Sequence, residues 1–138
     1  MLMTFRFSKN SIEKLKGVHP ALLLVISRAL LYSPTDFSIV QGVRTQAYQD
    51  DLYAQGRTKP GNIVTQTRDS RHIGGYAIDF ACLKDGAINW DTSLYVPVAS
   101  AFKKASLELN IPIVCGADWK FADFGHIELD ATFYPKET

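Results

Sequence analysis

The chain has 138 residues and a mass of 15.4 kDa, with 15 basic and 14 acidic side chains and a formal net charge of +1. Hydrophobic residues make up 46% and aromatic residues 12%, which suffices for a packed core and excludes a disordered chain. The balanced charge excludes a general nucleic-acid binder, whose surface carries a basic excess. The length predicts a single domain over residues 1–138.

Targeting and membrane segments are not evident in the sequence. A transmembrane helix needs about 20 apolar residues, whereas the richest apolar run, Ala21–Leu31, is short and contains Arg28. Met1–Ser11 lacks the continuous apolar stretch and the small-residue cleavage site of a signal peptide. We therefore expect a cytoplasmic, monomeric protein with no membrane span.

The pattern of apolar residues, caps and turns predicts helices in the first third of the chain and mixed elements after it. Ser8 or Asn10 is a candidate cap for a short first helix, and Pro20 suits the first turn of a helix that runs to about Tyr32. The further predicted elements are a strand over Phe37–Val43, a helix from Gln46 to Gly56, a loop over Arg57–Ser70, a strand over Tyr76–Cys82, a turn at Asp85-Gly86, a helix over Leu94–Leu109 with Pro97 in its first turn, and strands over Ile111–Cys115 and His126–Leu129. This order predicts an α+β fold with a small, largely antiparallel sheet flanked by helices.

The two cysteines and one of the three histidines favour structural roles. Cys82 and Cys115 lie in or beside apolar segments predicted to be strands, where a small buried thiol is ordinary. Their spacing lacks the close pairs of a zinc knuckle. His19 lies between two predicted helices and belongs to no motif. We interpret all three side chains as structural.

His72 precedes a predicted strand that contains an unexpected carboxylate. The alternation over Tyr76–Phe80 places Asp79 on the face opposite the large apolar side chains. A carboxylate in such a strand is costly unless something pairs with it. Gly74-Gly75 permits a tight bend, which would bring His72 beside Asp79.

His126 lies in the last predicted strand, where Ile127 and Leu129 face the core and His126 shares the other face with Glu128. Two imidazoles and one carboxylate on the exposed faces of two strands fit a zinc site with three protein ligands and a fourth position for water. Asp123, in a turn before His126, is then a candidate general base. On spacing alone, histidines that are hydrogen-bonded for structural reasons are the alternative.

The segments around His72 and His126 each contain a sequence motif. They read Ser70-x-His72-x-x-Gly75-x-Ala77-x-Asp79 and Asp123-x-x-His126-x-Glu128-Leu129. Together they resemble the two signatures of the zinc D-Ala-D-Ala carboxypeptidase and L-alanyl-D-glutamate endopeptidase family, which shares a fold with the Hedgehog N-terminal domain. Stretches that are similar to its phage endolysin branch are Gln41–Thr45, Leu52–Gly61 and Gly116–Lys120. The resemblance runs in family order from about Phe7 to Leu129.

The resemblance implies a Hedgehog-like fold, zinc as the cofactor and a role for each motif residue. The implied zinc ligands are His72, Asp79 and His126, the implied acid/base is Asp123, and the implied stabiliser of the oxyanion is Arg44. Ser70 is expected beside the metal, in contact with substrate or with a ligand. Trp119 is a candidate wall of the cleft, with an ordinary core tryptophan as the alternative.

The endolysin-like stretches imply hydrolysis of the L-Ala–D-Glu bond in peptidoglycan stem peptides, which degrades the bacterial cell wall during host lysis. Asp123, where the dipeptidase branch carries Glu, favours this reaction over a D-Ala-D-Ala carboxypeptidase or dipeptidase. A non-catalytic, zinc-containing wall-binding module is a further alternative, but it would have no use for Asp123. A glycosidase with Asp79 and Glu128 as its carboxylate pair would leave the two histidines unexplained.

The expected partner is the peptidoglycan stem peptide, with no nucleic acid. The family and the expected absence of a signal peptide imply a phage or prophage lysin. Such an enzyme would reach the wall from the host cytoplasm after a holin permeabilises the inner membrane. A cytoplasmic muropeptide-recycling enzyme is the alternative. Glu128 either orients His126 or pairs with a surface cation. Arg57, Lys59 and Arg68 either bind carboxylates of the acidic substrate or are solvated loop charges.

Overall fold

The computed structural model of the protein describes residues 5–136, so residues 1–4 of the Met1–Ser11 segment lie outside it. The helices are α1 (Lys9–Lys14), α2 (Pro20–Tyr32), α3 (Gln46–Ala54) and α4 (Thr92–Leu109), and a short 3-10 helix covers Gly116–Asp118. The strands are β1 (Phe37–Gln41), β2 (Ala77–Lys84), β3 (Ala87–Ile88), β4 (Ile113–Cys115) and β5 (His126–Leu129). Among the described helices, none combines the length and apolar character needed to cross a bilayer.

All five strands join one antiparallel sheet, which confirms the predicted α+β class. The order is β1-β2-β5-β4, and β3 pairs with the end of β2 as a hairpin. In this register Asp79 of β2 lies opposite Gln41 of β1 on one side and His126 of β5 on the other. The sheet therefore places one predicted metal ligand directly beside another.

The core lies between one face of the sheet and helices α2 and α4. Phe80 of β2 stacks on Tyr95 and Phe102 of α4, and Phe37 of β1 packs against both phenylalanines. Ile26 contributes the matching face of α2 and is fully buried. Because successive side chains of a strand alternate between faces, burying Ile78 and Phe80 directs Asp79 to the opposite side of the sheet. The core thus orients the residue on which the site depends.

Capping side chains set where the helices begin. The Ser8 hydroxyl accepts the Ser11 N–H at 3.1 Å, as predicted for the first helix. The Asp91 carboxylate accepts the Ser93 N–H at 3.0 Å, so α4 begins before the predicted Leu94 and Pro97 falls inside the helix instead of in its first turn. The prediction that α4 starts at Leu94 was wrong because it overlooked this cap.

The residues interpreted as structural have structural surroundings. His19 caps α2, accepting the Ala21 N–H on Nδ1 at 3.0 Å, and its ring packs between Tyr76 and Tyr134. Cys82 and Cys115 are free and buried. Burial raises the pKa of each thiol to about 11, so both are protonated at neutral pH.

Candidate metal centre and active site

His72, Asp79 and His126 converge at the sheet. His72 Nε2 lies 3.3 Å from one carboxylate oxygen of Asp79, and His126 Nδ1 lies 3.0 Å from the other. One donor atom from each of the three side chains falls within 4.8 Å of the other two. His72 lies in a turn before β2, as predicted from the position of the strand. The expectation that the two imidazoles lie on exposed strand faces is wrong, because both are buried.

Two glycines shape the turn that carries His72. Gly74 and Gly75 have φ angles of 84° and 86°, a region that side chains other than glycine adopt at a cost. A Cβ on Gly75 would lie 2.4 Å from the Gly17 carbonyl oxygen, between α1 and α2. The carbonyl of Gly75 accepts the His19 N–H at 2.9 Å. The turn is therefore held against the connection between the first two helices.

The hydrogen bonds of the two rings determine which nitrogens face Asp79. His72 Nδ1 lies 3.0 Å from the carbonyl oxygen of Gly42, which can only accept, so Nδ1 carries the proton and Nε2 is available as a ligand. His126 Nε2 lies 2.8 Å from a carboxylate oxygen of Glu128 and donates to it, which leaves Nδ1 toward Asp79. Metal-binding histidines commonly donate their second N–H to a carbonyl or a carboxylate in this way.

The cluster has an electrostatic character that suits a cation. Burial raises the pKa of Asp79, but hydrogen bonds from His126 and His72 outweigh this and hold the pKa far below its usual range. Burial lowers the pKa of His126, but hydrogen bonds to Asp79 and Glu128 outweigh this and raise the pKa to about 9. The carboxylates that attract a proton to His126 would attract a divalent cation for the same reason.

Glu128 joins the cluster to a largely buried arginine. Its second carboxylate oxygen lies 3.6 Å from Arg71 Nε, and the two side chains are only 14% and 15% exposed. Arg71 is fixed in turn, because it donates to the Leu129 carbonyl at 2.7 Å and lies 4.6 Å above the centre of the Tyr76 ring. The two roles considered for Glu128 are therefore combined: it contacts His126 and also a cation, although that cation is not on the surface.

Asp123 lies in the same cleft as the cluster. Its N–H donates to the Gly116 carbonyl at 2.9 Å, and its own carbonyl accepts the His126 N–H at 3.2 Å. A Cβ on Gly116 would come within 2.3 Å of the Asp123 carbonyl oxygen, so the close approach of the two loops requires glycine there. Burial, and next the negative charge of Asp79, raise the pKa of the Asp123 carboxyl above its ordinary value.

Arg44 lies beside the cluster and is held by a residue that sequence reasoning missed. Its guanidinium is 3.6 Å from Asp79 and donates to the Gln49 side chain at 3.1 Å, while its Nε has no hydrogen-bond partner within residues 5–136. Gln49 is fully buried and donates to the Thr67 carbonyl at 2.7 Å. In the sequence, Gln49 is one polar residue in a polar helix, and no signal distinguishes it.

Ser70 and Trp119 complete the surroundings of the two histidines. The buried Ser70 hydroxyl accepts the His72 N–H at 3.1 Å, which helps to form the turn. The Trp119 ring lies 5.0 Å from the His126 ring and is 40% exposed. This exposure fits a residue in the wall of a cleft and does not fit a core tryptophan. Both line a cavity of about 330 Å³ together with Gln41, Arg44, Tyr48, Leu52, Val64, Thr65, Thr67, His72, Asp79, Asp123 and His126.

The basic residues of the loop after α3 do not line this cavity. Arg57 donates to the carbonyls of Tyr53 and Thr65 at 2.7 and 3.1 Å, and Lys59 pairs with Asp51. The guanidiniums of Arg57 and Arg68 lie 3.9 and 4.7 Å from the centre of the Tyr53 ring. Arg57 therefore holds the loop in place, and the structure places none of the three among the residues that line the cleft.

Comparison with known proteins places these features in a family. Residues 3–136 match the sequence profile described as phage L-alanyl-D-glutamate peptidase. The chain belongs to this family. The L-alanyl-D-glutamate peptidase of Escherichia phage T5 is 41% identical over 133 residues, covering 96% of this chain and 94% of the phage protein.

Two further relatives of this chain come from bacteria. The peptidoglycan L-alanyl-D-glutamate endopeptidase CwlK of Bacillus subtilis (strain 168) is 42% identical over 107 residues, or 68% of this chain and 60% of CwlK. The crystal structure of the L-Ala D-Glu endopeptidase ChiX of Serratia marcescens superimposes with a TM-score of 0.86 at 35% identity and covers 96% of each chain. The family and the fold predicted from the motifs are thereby confirmed.

Proposed function

We propose that this protein is a zinc-dependent endopeptidase that hydrolyses the L-Ala–D-Glu bond of peptidoglycan stem peptides. The observation that carries the proposal is the His72–Asp79–His126 cluster, with both histidines buried, which shares one cleft with Asp123 and Arg44. The names of the T5, CwlK and ChiX proteins support the choice of bond.

The chemistry of the donor set supports zinc as the metal. His72 Nε2, His126 Nδ1 and a carboxylate oxygen of Asp79 supply two borderline nitrogen ligands and one oxygen ligand, a set that zinc accepts readily. Catalytic zinc sites commonly use three protein ligands and keep a fourth position for water or substrate. When bound, zinc supplies Lewis-acid polarisation of the scissile carbonyl and acidifies water.

Asp123 is the proposed general base and acid. Its carboxylate takes a proton from the attacking water and then delivers it to the amino group of D-Glu as the peptide bond breaks. Burial and the nearby charge of Asp79 raise the pKa of Asp123, which strengthens its carboxylate as a base. A positioned general base contributes about 10²–10⁴-fold in rate.

Arg44 is the proposed stabiliser of negative charge on the carbonyl oxygen. Gln49 and Asp79 hold its guanidinium beside the cluster, so a cation is oriented there before substrate binds. Its Nε, which has no hydrogen-bond partner within residues 5–136, is a further available donor. Removing a comparable oxyanion donor from an enzyme lowers kcat by about 10²–10³-fold.

We further propose that the protein works as a monomeric phage or prophage lysin, which reaches the cell wall after a holin permeabilises the inner membrane. The similarity to the T5 protein over 96% of the chain supports this setting. Trp119 on one side of the cleft and Tyr48 and Leu52 of α3 on the other are the proposed walls around the bound stem peptide.

The test is digestion of purified peptidoglycan by zinc-loaded protein, with the released fragments identified by mass spectrometry. The matched control is Asp123→Asn, which preserves shape and should retain zinc while losing about 10²–10⁴-fold in rate. Peptides that begin at D-Glu, produced only by the unmodified protein, are the expected result. Loss of a terminal D-Ala alone would assign the carboxypeptidase reaction, and no release from zinc-loaded protein would assign a wall-binding module.

A further inference from the structure

A second cavity adjoins the cleft at Asp123. It has a volume of about 250 Å³, and its wall is formed chiefly by Trp90, Tyr95, Phe124 and Asp123. Asp123 also lines the larger cavity that contains the metal cluster. The residue proposed to move the proton therefore lines both spaces. We call the smaller one the aromatic pocket.

Trp90 is exposed in the aromatic pocket and yet held in a fixed orientation. It is 66% exposed, and its ring lies parallel to that of Tyr95, at 8° and 6.2 Å. The Tyr95 hydroxyl accepts the Cys82 N–H at 3.0 Å and donates to the Asn89 carbonyl at 2.8 Å. The Asn89 N–H donates to the Cys82 carbonyl at 2.9 Å, so the residue before Trp90 is tied to β2.

The charge and polarity of the residues that line the aromatic pocket indicate which class of ligand it could bind. Asp123 is the one ionisable side chain among its described lining residues apart from the buried Tyr95 phenol. An acidic peptide would find no cation there, whereas Arg44 lies in the larger cleft. A concave surface with aromatic side chains and few polar groups is typical of a site for an uncharged small ligand.

We propose that the aromatic pocket binds the N-acetylmuramyl sugar that carries the stem peptide, an inference that rests on the proposed function. In peptidoglycan the amino group of L-Ala forms an amide with the lactyl group of this sugar. A single residue, at most about 3.6 Å long, therefore separates the lactyl group from the bond that is cleaved. A group so close to the reacting carbonyl must contact the protein near Asp123, and the aromatic pocket has Asp123 in its wall.

The two cavities then divide the substrate by its chemistry. The sugar is uncharged, since its lactyl carboxyl is consumed in the amide, and the C–H face of its ring can pack on the indole of Trp90. The longer, acidic part that begins with D-Glu occupies the larger cleft with Arg44. This division places the scissile bond at the junction, next to Asp123.

The test compares two soluble substrates with the same L-Ala-D-Glu-containing peptide. One carries N-acetylmuramyl on L-Ala, and the other carries only an acetyl group there. We expect unmodified protein to prefer the muramyl peptide about tenfold in kcat/KM, and Trp90→Ala to abolish this preference while changing kcat/KM for the acetyl peptide less than about twofold. Trp90→Phe should retain most of the preference. Phe133→Ala is the matched control, because Phe133 is 65% exposed and lines neither cavity.

Each outcome decides the matter. Equal losses on both substrates, or no loss on either, would overturn the inference while leaving the peptidase function intact. If unmodified, zinc-loaded protein cleaves neither substrate, the proposed function fails and the inference fails with it. A second measurement needs no variant: titration of N-acetylmuramyl-L-alanine should shift the Trp90 indole N–H resonance in the NMR spectrum, and an unmoved resonance would overturn the inference even if Trp90→Ala does not fold.

Discussion

Glu128→Gln is expected to weaken zinc binding by about 10–100-fold at pH 9, which is about 1.4–2.8 kcal/mol. In the folded protein the Glu128 carboxylate accepts the His126 Nε2–H at 2.8 Å, and the Glu128 side chain is only 14% exposed. The carboxylate makes Nδ1 of the same ring a better electron donor to a metal. Glutamine keeps the shape and an accepting oxygen but removes the charge.

The size of the effect depends on pH, because a proton competes with zinc for His126. The pKa of His126 in the metal-free protein is about 9. At pH 7, two units lower, protonation weakens apparent zinc affinity by about 100-fold, or about 2.7 kcal/mol. Glu128 contributes to that raised pKa, so Glu128→Gln also weakens the competing proton. The loss of zinc affinity should therefore be smaller at pH 7 than at pH 9.

The assay is competition with a chelator of known affinity at pH 7 and pH 9. The control is Glu108→Gln, which changes the same residue type where Glu108 pairs with Arg28 and Tyr32, among residues outside the cleft. Unchanged zinc affinity of Glu128→Gln at pH 9 would refute the positioning role. An equal loss at both pH values would point to general damage to the fold, since damage does not depend on the charge of His126.

Three further predictions concern protons, thiols and backbone. Because the pKa of His126 is about 9 in the metal-free protein, zinc binding at pH 7 should release about one proton. In calorimetry the measured enthalpy of zinc binding should then vary with the ionisation enthalpy of the buffer. A binding enthalpy that is the same in all buffers would contradict this. Cys82 and Cys115, with pKa values of about 11, should react with a thiol reagent at pH 8 only after unfolding, and rapid reaction of the native protein would contradict their burial. Gly75→Ala should lower the free energy of unfolding by about 3–4 kcal/mol in urea titration. The control Gly86→Ala should lower it by only about 1–2 kcal/mol, because Gly86 has a similar φ but a Cβ there would meet nothing within 4 Å. Similar losses for the two variants would show that the contact with Gly17 is unimportant.

Local patterns were sufficient for much of the fold and for the convergence of His72, Asp79 and His126. The alternation in β5 predicted that Ile127 and Leu129 are buried and that His126 shares a face with Glu128, because strand side chains alternate regardless of what surrounds them. The Gly74-Gly75 pair indicated the bend that brings His72 to Asp79. The roles assigned to these residues in catalysis stay predictions.

Contacts between distant segments were beyond sequence reasoning. The Gly42 carbonyl that orients His72, the buried Gln49 that holds Arg44, and the pairing of Arg71 with Glu128 each join segments that only the completed fold brings together. None of these residues stands out by periodicity or by a cap. The burial of His72 has the same origin, since its turn lies between the sheet and the segment after β1.

The two backbone segments that fix His72 both rest on the start of the chain. The Gly42 carbonyl accepts the Nδ1–H of the His72 ring, and a Cβ on Gly42 would lie 1.9 Å from the Lys14 carbonyl oxygen, as a Cβ on Gly75 would meet that of Gly17. The six-residue α1 and the link to α2 therefore support the proposed metal ligand His72, although they contribute no side chain to the cleft. Removing α1 is therefore expected to weaken binding of the proposed metal before it disturbs the sheet.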